Sequence, residues 1–421
     1  MDIQRTRLDN GVRVVTSRMD HVRSASLIIY IKAGARHEPD EHAGVSHFVE
    51  HMVFKGTKRR PDPISITREI EEFGGVVNAG TSREHTSYWI KVPSVHLEKS
   101  YDVLADMLLE STFREEELEK ERRVIFEEIH GIYDTPDDYI HDVIDELVWA
   151  GQPIGRPIIG SEATIRSMGR DDVLGFMRAN YHPNRVVISA AGNVDHDRVV
   201  EMVERTFGQL PAGTPPDLVP SRISQTAPRV KVLERTTEEA HIALGLPGIA
   251  YTDDRRQVQD TIDAILSSGM SSRLFEEIRE RRGLAYAVFS YFRGYQDAGQ
   301  GVIYAGTDPG KVQETVSAVI EELWRIRDER VPDEELARTR ELRKGRISLG
   351  LEDSRAVAGW IGSQELLFDE ILTPDQVMEE IDAVTSEQVQ ELARVLMRPD
   401  RLNLAIIGPF SDDDKFRTLL E

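Results

Sequence analysis

Gly44-Val-Ser-His47-Phe-Val-Glu50-His51-Met-Val-Phe54 is the stretch on which the reading of this chain turns. No Gly or Pro interrupts it between Val45 and Phe54, so it predicts a helix. On a helix, residues four apart lie one above the other, which brings the imidazoles of His47 and His51 together. Two imidazoles so placed can bind one zinc ion. Glu50 follows His47 by three residues, on the same side but outside the ligand pair, where a general base acting on a zinc-held water belongs. The surrounding residues are almost all apolar. Three polar groups on one face of such a helix need a partner, because unpaired polar burial costs about 1–3 kcal/mol per group.

A catalytic zinc takes three protein ligands and keeps one position open. The chain has no cysteine, which excludes disulfides, thiolate sites and cysteine nucleophiles and leaves His, Asp or Glu as ligands. Residues Glu115 to Tyr133 predict a long helix with an apolar stripe at Leu118, Ile125, Ile129 and Ile132. Glu121 and Glu128 fall on that stripe, where a carboxylate is expensive unless it meets a cation. Glu127 points away from it, so Glu128 is the candidate third ligand. Glu121 is then an auxiliary carboxylate that orients a histidine or the catalytic water.

The remainder of the chain sets the frame. Its 421 residues carry a formal net charge of −22. A nucleic-acid backbone is therefore not the partner, since phosphate binding needs clustered Lys and Arg. No run approaches the ~18 apolar residues of a membrane span, and the N-terminus lacks the apolar core of a signal peptide, so no membrane and a cytoplasmic location are expected. A Pro-rich run from Gln209 to Ser221 opens a linker over 209–228, between domains at 1–208 and 229–421. The halves repeat each other. Glu116-Glu117-Leu118 with its long helix, the helix from Arg170 to Tyr181 and the strand Arg185 to Gly192 return as Glu334-Glu335-Leu336, a long helix, a helix from Ser386 to Met397 and the strand Arg401 to Gly408. The shift is 216 to 218 residues throughout, which predicts a duplicated domain. Under that shift Thr339 and Arg346 replace Glu121 and Glu128, so the second half lacks metal ligands and serves substrate binding. Strands and helices are grouped rather than alternating, giving an α+β fold of two homologous domains, each a β-sheet packed with helices. Val12 to Val15 and Ser26 to Ile31 suit a hairpin, with a further strand from His85 to Val92.

His47-Phe-Val-Glu50-His51 is the inverted zincin motif. Its setting, Gly44 to Thr57, resembles the pitrilysin-type (M16) metallopeptidases. The likeness is greatest to the short, two-domain members, namely the mitochondrial processing peptidase β-subunit and its bacterial homologues. It covers nearly the whole chain. It implies a zinc-dependent endopeptidase with one Zn2+ per chain on His47, His51 and Glu128, Glu50 as general base, and an auxiliary glutamate seven residues before the ligand, at Glu121. The segment Gly74 to Glu84 is similar to the family's substrate-pairing edge strand, which assigns Asn78 and Ala79 to the peptide backbone. Arg279 and Tyr286 match a family pair, seven apart, that contacts substrate and the developing oxyanion; Arg282 competes with Arg279 for that place. Asp138 and Asp142 match acidic residues that hold a basic substrate side chain, implying a peptide substrate with Arg or Lys near the cleaved bond. The processing peptidases' glycine-rich loop is reduced here to Leu266 to Ser272, which points to a general oligopeptidase. Two-domain members need a second chain to enclose a chamber. Because this chain carries both half-sites, the resemblance implies a homodimer. The alternatives are a non-catalytic scaffold subunit of the same fold and the catalytic subunit of a heterodimer.

Overall fold

The computed structural model describes residues 1–368 and 370–420. They form two compact units. Unit 1 takes in Met1–His130, Arg156–Val219 and Ser348–Pro374; unit 2 takes in Gly131–Gly155, Pro220–Ile347 and 375–420.

The strands of unit 1 are β1 (Ile3–Arg7), β2 (Arg13–Arg18), β3 (Ser24–Ile31), β4 (Val76–Thr81), β5 (Thr86–Pro93) and β6 (Val186–Gly192). They form one sheet in the order β1-β2-β6-β3-β5-β4. Unit 2 holds β7 (Arg229–Glu234), β8 (Ala240–Gly248), β9 (Ala285–Gly294), β10 (Gly299–Thr307) and β11 (Asn403–Gly408), in the order β7-β11-β8-β10-β9. Leaving out β1, the two orders correspond strand for strand. In each sheet one pair is parallel, β2 with β6 and β7 with β11, and the rest are antiparallel. This is the duplication that the repeated pattern predicts.

The helices in chain order are α1 (Val45–Val53), α2 (Pro63–Glu71), α3 (Leu97–Glu110), α4 (Glu115–Asp134), α5 (Pro136–Val148), α6 (Glu162–Ser167), α7 (Arg170–Asn180) and α8 (His196–Glu204). There follow α9 (Arg256–Ser267), α10 (Val312–Asp328), α11 (Asp333–Gly350), α12 (Ser354–Leu367), α13 (Pro374–Ala383), α14 (Ser386–Leu396) and α15 (Asp414–Arg417). Among the described residues no helix is long and apolar enough to cross a membrane.

Two features differ from the sequence expectation. The strands β2 and β3 do not form a hairpin: β6 lies between them, with Ser189 opposite both Val15 and Ile28. The reason is burial. β6 is covered along its whole length, so it occupies the interior of the sheet, and the two strands near the N-terminus flank it. The second difference is that the units are not contiguous halves. Helix α5 follows α4 in sequence but belongs to unit 2. Its Ile140, Val143, Ile144 and Val148 pack with Ala243, Val302, Ala405 and Ile407 from β8, β10 and β11. Helix α12 makes the reciprocal excursion into unit 1, where Val357, Ala358 and Ile361 pack with Val15, Ile28, Tyr30 and Val187. Each sheet thus has one apolar face covered by a helix from the other half of the sequence, which boundaries at 1–208 and 229–421 do not provide for. Close approach is built in: a Cβ on Gly362 would sit 2.6 Å from Ser189 Cβ and from the Tyr30 ring.

Candidate metal centre

The helix carrying the motif is α1, and its start is unusual. Gly44 at its N-cap has φ 95°, a conformation natural to glycine, and a Cβ there would lie 2.6 Å from the Ile159 carbonyl oxygen. Glycine has no side chain to cap the exposed N–H groups. Glu38 does this from a distance. Its buried carboxylate accepts from the backbone N–H of Gly44 and of Ser46, both at 2.8 Å, and from the Ser46 hydroxyl. An anion at a helix N-terminus also meets the positive end of the helix dipole. Burial nevertheless pushes the Glu38 carboxyl up to about 7, against the opposing pull of those three donors and of Arg156.

Three donor atoms converge from two helices. His47 and His51 on α1 and Glu128 on α4 each offer one atom, all within 4.8 Å of one another. Glu128 Oε2 lies 3.9 Å from His47 Nε2 and 3.6 Å from His51 Nε2. Among the described residues no other His, Asp or Glu groups assemble in this way. Helical phase selects the same glutamate: Glu127 is exposed on the far side of α4.

Glu121 accepts from His51 Nδ1 at 3.1 Å and from Lys55 Nζ at 2.8 Å. Burial acts to raise its pKa, but the two donors outweigh it and hold the carboxyl low. An ionised carboxylate only accepts, so the His51 proton sits on Nδ1 and the Nε2 lone pair faces Glu128. Burial pushes His47 down to about 4, helped by the neighbouring His51, so its imidazole is neutral. Its Nδ1 is buried without a hydrogen-bond partner. Lone pairs and a carboxylate that face one another repel unless a cation sits between them. The donor set therefore fits a divalent metal, and its two nitrogens and one oxygen suit zinc. Burial lowers the pKa of His51, yet the Glu121 hydrogen bond and the charges of Glu128, Glu121 and Glu50 more than reverse this and raise it, so the surroundings of this imidazole favour a positive charge.

Glu50 stands beside the three but outside the convergent group. Its Oε2 accepts from the Thr81 hydroxyl at 2.5 Å, tying the carboxylate to the end of β4. Burial raises its pKa; the Thr81 bond and His51 pull it down, and Glu128 adds to the rise. β4 is an edge strand, paired only with β5, with Asn78 opposite Trp89 and Ala79 opposite Tyr88. Asn78 is exposed, and its side chain accepts from the Ala79 N–H at 2.8 Å.

The other candidates lie in unit 2. Arg279 lies in the last turn of a π-helical segment, Phe275–Arg281, and Tyr286 is the second residue of β9. The Arg279 guanidinium sits 4.7 Å from the Tyr286 ring centre, and the ring itself is 76% exposed. Arg282 instead makes ion pairs with Glu277 at 2.8 Å and Glu321 at 2.7 Å. Asp138 and Asp142 lie one turn apart on α5, Asp138 exposed. At the position of Glu128, Arg346 donates to the Ser268 hydroxyl at 3.0 Å, and three residues earlier Arg343 reaches Thr261 at 2.6 Å and Asp260 at 3.3 Å on α9. The counterpart of the ligand helix thus presents guanidinium groups rather than carboxylates.

Two partners of the site were not singled out from sequence. Lys55 follows His51 by four residues, just past the end of α1, where the chain still runs beside Glu121. Thr81 was not legible, because its contact with Glu50 depends on α1 lying beside β4.

Two family models match the chain: "Insulinase (Peptidase family M16)" over residues 13–162 and "Peptidase M16 inactive domain" over 167–342. An uncharacterized zinc protease of Streptomyces coelicolor is 38% identical over 99% of this chain and 91% of its own length. One from Bacillus subtilis is 38% identical over 97% of this chain and 98% of its own. A protease from Helicobacter pylori shares the fold at a TM-score of 0.90 and 22% identity, over 97% of this chain and 99% of that one.

Proposed function

The chain belongs to peptidase family M16, and from that premise we propose that it is a zinc-dependent endopeptidase cutting peptides or unfolded segments. The observation that carries this reading is the meeting of His47, His51 and Glu128, with the carboxylate of Glu50 beside them and outside the ligand group. The relatives named zinc proteases support zinc as the metal, and the one His47, His51 and Glu128 group among the described residues supports one ion per chain.

In this reading His47, His51 and Glu128 hold the metal. When bound, zinc supplies Lewis acidity, lowering the pKa of water and polarising the scissile carbonyl. The chain's own groups do the rest. Glu121 orients His51 through Nδ1. Glu50 takes the proton of the attacking water on its carboxylate and delivers it to the leaving amine. The free edge of β4 receives the substrate as an added strand, through the Ala79 backbone and the exposed Asn78 side chain. Arg279 and Tyr286, held together as a cation and a phenol, are apt donors to the oxyanion; Arg282 is occupied by two glutamates. Asp138 and Asp142 favour a basic substrate side chain. A homodimer provides an enclosed chamber with two such sites, and light scattering that finds a fully active monomer would remove that element. The test of the whole is zinc analysis paired with peptide cleavage for wild type and Glu50→Gln. The variant keeps the metal and loses hydrolysis if the reading holds.

A further inference from the structure

The edge strand β4 is not uniformly open, and its closed end is built around the catalytic base. Ser82, just past β4, donates its N–H to the His85 carbonyl at 2.8 Å, and two residues earlier Gly80 stands opposite Ser87 of β5. Peptide units alternate along a strand, so Gly80 and Ser82 face β5 while Val77, Ala79 and Thr81 face the free edge. Of these three, Thr81 is already engaged. Its hydroxyl donates to Glu50 Oε2 at 2.5 Å, which holds that carboxylate against the end of the strand. The Ala79 N–H is taken up only by the neighbouring Asn78 side chain at 2.8 Å, a contact that an incoming carbonyl can replace.

Resting on the peptidase reading, we infer that Thr81 is a positioning residue that both fixes Glu50 and ends the substrate edge. Outward positions on a strand recur every two residues, about 6.8 Å apart. An added peptide therefore pairs with β4 at Val77 and Ala79 and cannot pair at Thr81, because the base occupies that place. The first peptide unit beyond the paired stretch is the one delivered to Glu50. Strand addition and base alignment thus share one residue: the strand that registers the peptide also holds the carboxylate that receives the proton.

The test compares Thr81→Val, which keeps shape and removes the hydroxyl, with Thr81→Ser, which keeps the hydroxyl. Zinc content, kcat and KM are measured on one peptide substrate, with Glu50→Gln alongside. Loss of a hydrogen bond to a charged group predicts a kcat about 10- to 100-fold lower in Thr81→Val, with KM within about threefold and zinc unchanged. Thr81→Ser restores kcat to within about threefold of wild type. Wild-type kcat in Thr81→Val overturns the inference alone. So does a Thr81→Ser variant as impaired as the valine variant, or a loss of activity that tracks loss of zinc. Hydrolysis surviving in Glu50→Gln overturns the role of Glu50 as base and this inference with it, whereas no hydrolysis by zinc-loaded wild type overturns the peptidase reading.

Discussion

Glu121→Gln separates a residue that works through the metal ligand from one that works on substrate. The carboxylate has two partners on two oxygens: His51 Nδ1 at 3.1 Å and Lys55 Nζ at 2.8 Å. A glutamine carbonyl can accept from one of them, and its NH2 then faces the other donor. Either His51 loses the bond that fixes its ring and tautomer, or the Lys55 ammonium is left without its anion. A hydrogen bond to a charged group contributes about 1.5–3 kcal/mol, and the partner of a metal-ligating histidine is typically worth about 10–100-fold in metal affinity. The two magnitudes agree, because a tenfold change in affinity is about 1.4 kcal/mol. The zinc dissociation constant of Glu121→Gln, measured by competition against a chelator at fixed pH, therefore rises about 10- to 100-fold. At saturating zinc, kcat recovers to within about tenfold of wild type. An unchanged zinc affinity with collapsed kcat at saturating metal would refute the argument, since it would place Glu121 on the reacting groups rather than behind His51.

Three further outcomes follow from the same geometry. Glu128→Gln loses zinc on dialysis whereas Glu127→Gln, on the exposed side of α4, retains it; equal retention, read by metal analysis, would remove Glu128 from the ligand set. Glu38 gives the fold a pH dependence. Its folded pKa of about 7 lies above the unfolded carboxylate value, so the folded state binds the extra proton, and the associated stability is present below about pH 4.5 and lost as pH rises through 7. Unfolding free energies of wild type should fall by about 3 kcal/mol relative to Glu38→Gln across that window, and a pH-independent difference would contradict the assignment. Gly362→Val forces a branched side chain into Ser189 and Tyr30 and should destabilise by about 3 kcal/mol in denaturant titration; a neutral result would mean that α12 does not lie tightly on β3 and β6.

The site was legible from sequence to the extent that helical phase is local. His47, Glu50 and His51 are fixed by spacings of three and four, and Glu128 was separable from Glu127 because Leu118 and Ile125 mark the buried side of α4. The internal repeat was legible because order and spacing survive duplication. What failed to show was non-local. The insertion of β6 between β2 and β3 joins residues about 170 positions apart, and alternation in Val12 to Val15 specifies a strand without naming its neighbour. The exchange of α5 and α12 is hidden for the same reason: each helix has an apolar face, and nothing in the pattern says which sheet covers it. Thr81 belongs with these. Its residue type fits an ordinary strand, and only the adjacency of α1 and β4 reveals what its hydroxyl does.

The central claim is that two histidines and a glutamate hold zinc while Glu50 moves the proton. Zinc content and hydrolysis of a peptide containing basic residues, measured together for wild type and Glu50→Gln, test it most directly. The account predicts about one zinc per chain in both proteins and a fall in kcat of about 100-fold or more in the variant, the scale of a lost general base. Undiminished hydrolysis by a zinc-loaded Glu50→Gln protein would contradict it.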